Sequence, residues 1–314
     1  MRYNIYMKRL AKNILKLLRK NLQSEIHSLK FLLGQNAILT SRSMANQFKY
    51  LWEAEVKVYS QWGEDGILDY ISNRLEIVKP RILEIGAGNF TECNSRFLAE
   101  NRNASVVLVD GRKDLILNVN ANSLNWKTHL YAIETWVTPM NVNELIEFSN
   151  KNLGSTDIFS LDLDGNDYWI LEVADLSNVK VVVVEYNPLF GSTYSVSVPR
   201  DDNFDRANKH QSRIYYGASL KAFIYLLNKK GFSFIGTNRV GNNAFFVDTD
   251  NFEKIATVLP NKLSEHTDWR IRESRDSNGN LSFVSGANRV LQISEMPVIE
   301  VETGKELTVG TLFS

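Results

Sequence analysis

The chain has 314 residues, 44% hydrophobic and 23% charged, an ordinary globular balance with enough apolar side chains for one large core. Its single cysteine, Cys93, excludes a disulfide framework and a cysteine-rich zinc site, and suits a reducing cytoplasm. Residues 1–50 carry ten Lys/Arg against one acid, Glu25, so the zero net charge hides a body of −9 that is a poor match for nucleic acid.

Residues 8–33 read as an amphipathic helix. Leu10, Ile14, Leu17, Leu18, Leu22, Ile26, Leu29 and Leu33 recur at three- and four-residue steps, the other face is rich in Lys and Arg, and Gly34 is the expected stop. Such a helix can lie on an anionic membrane surface, or pack on the body or on a second copy of the chain. No run of about 18 apolar residues is present. Lys12, Lys16, Arg19 and Lys20 also interrupt any signal-peptide core. Residues 35–55 read as a connector with a further short helix.

The body then alternates. Helical periodicity over 64–75 is followed by a strand at 81–85, a helix near 91–101, a strand at 106–110 and a helix at 115–124. A strand at 129–133, a helix at 142–153, a strand at 157–163, a short helix near 166–174 and the apolar strand 179–185 complete the series. Strands alternating with helices predict an α/β fold with a doubly wound, mostly parallel sheet. Residues 189–216 are polar, with few apolar anchors, and read as a lid or binding loop. A helix at 219–229 and strands at 232–236 and 244–247 predict an antiparallel hairpin at the sheet edge. Runs at 281–284 and 298–301 suggest a small β appendage. The expected division is a helical segment over 1–55, a main domain over 56–255 and a β-rich appendage over 256–314.

The first two strands carry the chemistry. In Glu84-Ile85-Gly86-Ala87-Gly88 two glycines stand where the first strand ends, so the backbone can turn tightly and approach a ligand. Asp110 ends the second strand, placed to accept hydrogen bonds from both hydroxyls of a ribose. A dinucleotide site would have a third glycine where Thr91 stands, and Glu84 would face a pyrophosphate. A carboxylate is better matched to the ammonium or sulfonium of S-adenosylmethionine. Gln61, Glu84, Gly86, Ala87, Gly88, Asp110 and Asp162 are therefore the candidate cofactor residues. The stretch Tyr59-Ser60-Gln61-Trp62-Gly63-Glu64-Asp65 reads either as a fold over the cofactor's amino-acid end, through Ser60 or Gln61, or as a turn opening the next helix.

Ser160-Leu161-Asp162-Leu163-Asp164-Gly165-Asn166-Asp167 closes the fourth strand and Glu185-Tyr186-Asn187 the fifth, neighbours in a parallel sheet. Asp164, Glu185 and Asn187 are candidate oxygen ligands for Mg²⁺, which would polarise an acceptor hydroxyl. Without a metal a base must take that proton, and Asp164, Glu185 and His210 are the candidates. Alternatively the acids only orient the cofactor and cap the next helix.

These segments resemble class I S-adenosylmethionine-dependent methyltransferases. More narrowly, residues 59–68, 82–88, 159–187, 216–223 and 243–247 look like relatives of the bacterial FkbM-type methyltransferases, found with surface-polysaccharide and natural-product biosynthesis. The resemblance covers roughly 59–250 and leaves out the N-terminal helix. Asp162-Leu163-Asp164-Gly165 departs from that family's usual Asp-x-Glu-Gly. The spread Glu185-Tyr186-Asn187 departs from the adjacent Asp-Asn of metal-dependent O-methyltransferases. The resemblance implies an O-methyltransferase acting on a sugar hydroxyl of a lipid-linked or surface glycan, or on a related metabolite, with the N-terminal helix at the inner membrane face. A binding or scaffold protein that keeps the fold without turnover, and a nicotinamide oxidoreductase, are the rival expectations, as is assembly into a homo-oligomer.

Overall fold

The computed structural model describes residues 2–255 and 271–313. The first part of the expected appendage, 256–270, lies outside the described residues, as do the side chains of Leu10, Ile14 and Leu17.

Helix α1 (Arg2–Met44) does not stop at Gly34. A Cβ at that glycine would stand 2.6 Å from Val58 Cγ2, so the residue serves a close approach rather than a helix end. The last turns of α1 dock on the body through Phe31 and Ile38, packed with Val58, Tyr59 and Phe97. Arg42 clamps Asp69 with two 2.8 Å hydrogen bonds. Short 3₁₀ turns at Ala45–Gln47 and Leu51–Ala54 lead to α2 (Glu64–Arg74).

The alternating pattern then builds β1 (Arg81–Ile85), α3 (Arg96–Arg102), β2 (Ser105–Asp110), α4 (Leu115–Asn120), β3 (Leu130–Glu134) and α5 (Val142–Leu153). It continues with β4 (Ile158–Leu161), α6 (Asp167–Val173), β5 (Val181–Glu185), β6 (Val196–Ser197), α7 (Arg206–Lys209), α8 (Leu220–Lys229), β7 (Phe232–Thr237) and β8 (Asn243–Asp248). The helices α9 (Phe252–Ile255) and α10 (Ala287–Gln292) and the strands β9 (Pro297–Glu300) and β10 (Lys305–Thr308) follow.

Seven strands form one sheet in the order β3-β2-β1-β4-β5-β8-β7, with β1 to β5 parallel and β8 antiparallel to both its neighbours. Val181 and Val183 face α2, α3 and α4, while Val182 and Val184 face α5, α6 and α8. Burial on both faces explains why β5 is an unbroken apolar run. Strand order reverses between β1 and β4, where crevices form at the carboxyl ends of doubly wound sheets. The expected fold is the one observed.

Residues 189–216, expected as a lid or binding loop with few apolar anchors, are well anchored. Leu189, Phe190, Val196, Val198, Phe204 and Ile214 form a third core with Val290, Val298 and Leu312. The strands β10, β9 and β6 join in a second, three-stranded sheet. The segment read as polar is thus anchored by the C-terminal part of the chain. The run 281–284 forms no strand, only an isolated bridge between Arg275 and Leu281. No helix among the described residues is long and apolar enough to cross a membrane.

Candidate active site

The turn after β1 is set by backbone geometry. Gly86 has φ 87° and Gly88 φ 59°, both in the left-handed region that glycine tolerates. The amides of Gly86 and Ala87 donate to the Val109 carbonyl at 2.8 and 3.2 Å. Asp110 accepts from Gly88 N at 2.7 Å through Oδ2 and from Arg112 N at 2.9 Å through Oδ1. Each oxygen keeps a lone pair for a further donor. Asp110 therefore shapes the loop and still faces a cavity of about 480 Å³, whose walls include Gly86, Gly88, Trp136, Val137, Leu163 and Phe204. A partly apolar slot with Asp110 at its edge suits a nucleoside.

A second cavity of about 610 Å³ meets the first at Gly86, Arg112, Asp162 and Asp164, which line both. Gln61 and Glu84 stand on its wall, with Glu185, Arg206 and Tyr216. A cofactor lying across Gly86 would present its reactive end to this second space.

Three carboxylates converge there. Oxygens of Asp162, Asp164 and Glu185 lie within 4.8 Å of one another. The register explains the meeting: Leu161, the last residue of β4, pairs with Val184, next to Glu185 at the end of β5. Loss of hydration, reinforced by the neighbouring acids, pushes both Asp162 and Glu185 well above the usual carboxylate range. Asp164 takes the left-handed φ of 56° and pairs with Arg206, carried by α7 in the anchored segment. Glu185 is held by Asn242 Nδ2 at 3.2 Å. Asn238 joins Asn242 at 2.7 Å and Glu64 at 2.7 Å, so a buried amide–carboxylate network fixes its position.

Two expectations are corrected. Asn187 is not among the converging ligands. Its Nδ2 donates to the carbonyls of Ile214 and Tyr216, both at 3.0 Å, and its Oδ1 caps Leu189 N at 3.0 Å, which spends the amide on backbone. Asp162 takes its place in the cluster. His210 does not line either cavity. Its Nδ1 lies 2.6 Å from Ser212 Oγ and accepts from Ser212 N at 3.2 Å, so it closes a local turn and is not placed as a base.

Glu84 serves a double purpose. Its carboxylate accepts from Asn94 N at 2.7 Å and Ser95 N at 3.0 Å, ahead of α3, and still borders the cavity. Burial pushes it upward. Ala87 is fully buried and contributes shape only. The stretch over 59–65 combines both its readings. Asp65 Oδ2 accepts from the amides of Val58, Tyr59 and Ser60 and from the Ser60 hydroxyl, which fixes a turn that aims Gln61 into the cavity. Asp167 fixes the loop after β4, and Asn166, on the wall of the first cavity, ties that loop to the anchored segment. Asp167 accepts from Leu163 N at 2.8 Å and Gly165 N at 2.9 Å, and Asn166 bonds Asp201.

Several lining residues carried no sequence signal. Trp136 follows β3 and donates from Nε1 to the Asp202 carbonyl at 3.0 Å, tying the anchored segment over the first cavity. Phe204 sits against Gly165, where a Cβ would come within 2.5 Å of its ring. Arg206 and Tyr216 face each other, guanidinium to ring centroid, at 5.2 Å.

No protein-family model matches the chain, and no curated protein matches it in sequence. Solved structures do resemble it in fold. A hemolysin candidate from Lactococcus lactis is 14% identical, covers 60% of this chain over 88% of its own and gives a TM-score of 0.38. Cofactor-bound Rv0187 from MTB is 14% identical over 69% of this chain and 89% of its own, with a TM-score of 0.36. Human N-acetylserotonin methyltransferase in complex with SAM is 11% identical over 59% of this chain and 53% of its own, with a TM-score of 0.30.

Proposed function

We propose that the chain is an S-adenosylmethionine-dependent O-methyltransferase acting on a sugar-type hydroxyl. One observation carries the reading: a nucleoside-shaped slot edged by Asp110 opens, at Gly86 and Asp162, into a polar cavity floored by acids with raised pKa.

In this reading Asp110 receives the ribose hydroxyls, and Trp136 and Val137 flank the base. Gln61 and Glu84 border the space for the amino-acid end. The acceptor hydroxyl enters beside Asp162 and Glu185. Its oxygen forms the new C–O bond as the methyl–sulfur bond breaks, the sulfonium becomes a neutral thioether, and the hydroxyl proton passes to a carboxylate. A carboxylate raised toward neutrality is a better proton acceptor than one at its ordinary value. Asp164, paired with Arg206, is the residue to orient the acceptor. The oxygens of Asp162, Asp164 and Glu185 are also the donor type that Mg²⁺ takes, and the ion would lower the acceptor hydroxyl's pKa.

The apolar stripe of α1 supports a location at an anionic membrane surface, where lipid-linked glycans are built. Leu15, Leu18, Leu22, Ile26, Leu29 and Leu33 are all exposed, on the face away from the docked Phe31 and Ile38.

Calorimetric titration with S-adenosylhomocysteine tests the cofactor half. Micromolar binding, followed by methyl transfer to a glycan acceptor with or without Mg²⁺, is the expected result. Binding without any turnover would leave a scaffold, and failure to bind would sink the reading.

A further inference from the structure

The acceptor cavity is two-faced. Its floor is the acid cluster at the ends of β4 and β5, where Arg206 pairs with Asp164, and its lining also carries Arg213, Arg272 and Arg289. Arg112 also lines it, but shares the cofactor slot and is set aside with the cofactor. The four remaining arginines come from the anchored segment and the C-terminal part of the chain, which the Arg275 N to Ser212 O hydrogen bond of 3.1 Å ties together.

Arg289 is the telling residue. It is only 4% exposed. Its Nη1 donates to the carbonyls of Glu273 and Val284 at 3.0 and 3.3 Å. Its Nε is buried with no hydrogen-bond partner, and it forms no ion pair among the described residues. Burial pulls its pKa down, and the nearby Tyr216 and Glu273 offset that only in part. An unpaired buried guanidinium is costly unless an anion completes it. Arg213 adds backbone strain, with a non-glycine φ of 58°, of the kind concentrated at ligand clamps. Arg272 reaches the Phe283 carbonyl at 3.1 Å and leaves its remaining donors free of carboxylates among the described residues. Glu273 also borders the cavity and meets Arg275 at 3.7 Å, so one acid stands among these cations without pairing with Arg289 through its side chain.

We infer that the acceptor bears a phosphate or diphosphate ester, gripped by Arg289, Arg213, Arg272 and Arg206 while its hydroxyl faces Asp162 and Glu185. Guanidinium forks match phosphate oxygens in pairs, and several of them facing one cavity exceed what a single carboxylate requires. The inference rests on the methyltransferase reading for which hydroxyl reacts, but the anion site stands by itself. Two sources share this chemistry: a sugar carried on a nucleoside diphosphate and one carried on a lipid diphosphate.

The test is a titration of the full chain with inorganic pyrophosphate, without divalent ions and with S-adenosylhomocysteine present. The wild type should bind, and Arg213→Gln with Arg272→Gln, both exposed positions that leave the core intact, should weaken binding about tenfold or more. Arg289→Gln should abolish it, with circular dichroism reporting whether that variant folds. Uridine diphosphate binding more tightly than pyrophosphate would assign the nucleotide source. Geranyl diphosphate doing so would assign the lipid source, and both results support the site. Absence of pyrophosphate binding, equal binding by the double variant, or binding of glucuronate in its place would overturn the inference. Failure of S-adenosylhomocysteine to bind while pyrophosphate does would overturn only the methyltransferase reading.

Discussion

A Cβ placed on Gly86 would fall 1.6 Å from the carbonyl oxygen of Asp162, so the turn after β1 and the end of β4 touch backbone to backbone. This contact brings the glycine turn and the acid cluster into one site. Gly86→Ala must move one of the two chains and also take an L-residue to φ 87°. The φ alone costs about 1–2 kcal/mol. The variant should melt earlier and lose S-adenosylhomocysteine affinity, while Gly88→Ala, with open space around its Cβ, should lose less. Paired melting curves and titrations check the ranking. Equal effects at the two glycines would show that the contact is not what constrains the turn.

Asp110 stands between loop and ligand. Replacing it with Asn keeps an acceptor for Gly88 N but removes the charge that two ribose hydroxyls would share. Hydrogen bonds to a charged group are worth about 1.5–3 kcal/mol each. Asp110→Asn should therefore weaken S-adenosylhomocysteine by roughly tenfold to a hundredfold, and Asp110→Ala by more, since the loop also loses an anchor. Calorimetry with both variants reads this directly, and an unchanged dissociation constant in Asp110→Asn would remove the residue from the cofactor site.

In the methyltransferase reading, Glu185 trades stability for chemistry. Its carboxyl is raised by burial first and by Asp162 and Asp164 next. A raised carboxyl keeps its proton in the folded chain at a pH where the unfolded chain has released it. Its stabilising effect is thus complete below the unfolded value of about 4 and is lost as pH rises through the folded one. Asp65 and Asp167, both raised by burial to about 6, act in the same direction. Glu185→Gln should flatten the decline of melting temperature with rising pH. The same variant should lower methyl transfer by about 10²–10⁴-fold, the usual worth of a general base. Full activity with an unchanged pH profile would move the proton acceptor to Asp162.

Periodicity made the sheet readable because β1 to β4 are each followed by a helix, and because burial on both faces leaves β5 an unbroken apolar run. The glycine turn was readable because glycine at φ 87° leaves a mark in the sequence. The arginine-lined part of the second cavity was not. Arg206 lies far from Arg272 and Arg289 in the chain, and their segments meet through the pairing of β6 with β9, the third core and the Arg275–Ser212 hydrogen bond. Asn187 misled because an amide after a strand looks like a ligand, whereas two carbonyls and an amide proton claim all of it. Gly34 misled for the opposite reason: close packing on Val58 and helix termination both call for glycine.

The exposed stripe on α1 yields the last prediction. Leu18, Leu22 and Leu29 are 58%, 62% and 58% exposed, while His27, on the docked side, contacts Glu100 at 3.2 Å. Fully burying a leucine is worth about 1.5–3 kcal/mol, and each Lys or Arg near an anionic surface adds about 1 kcal/mol. Replacing the three leucines with serine should abolish sedimentation with phosphatidylglycerol vesicles and leave the melting temperature nearly unchanged, because none of them packs on the body. Added salt should weaken wild-type binding, since the basic residues act through a screened field. A wild-type chain that ignores the vesicles but loses a dimer on the same substitution, read by light scattering, would place a second copy of the chain on the stripe instead of lipid.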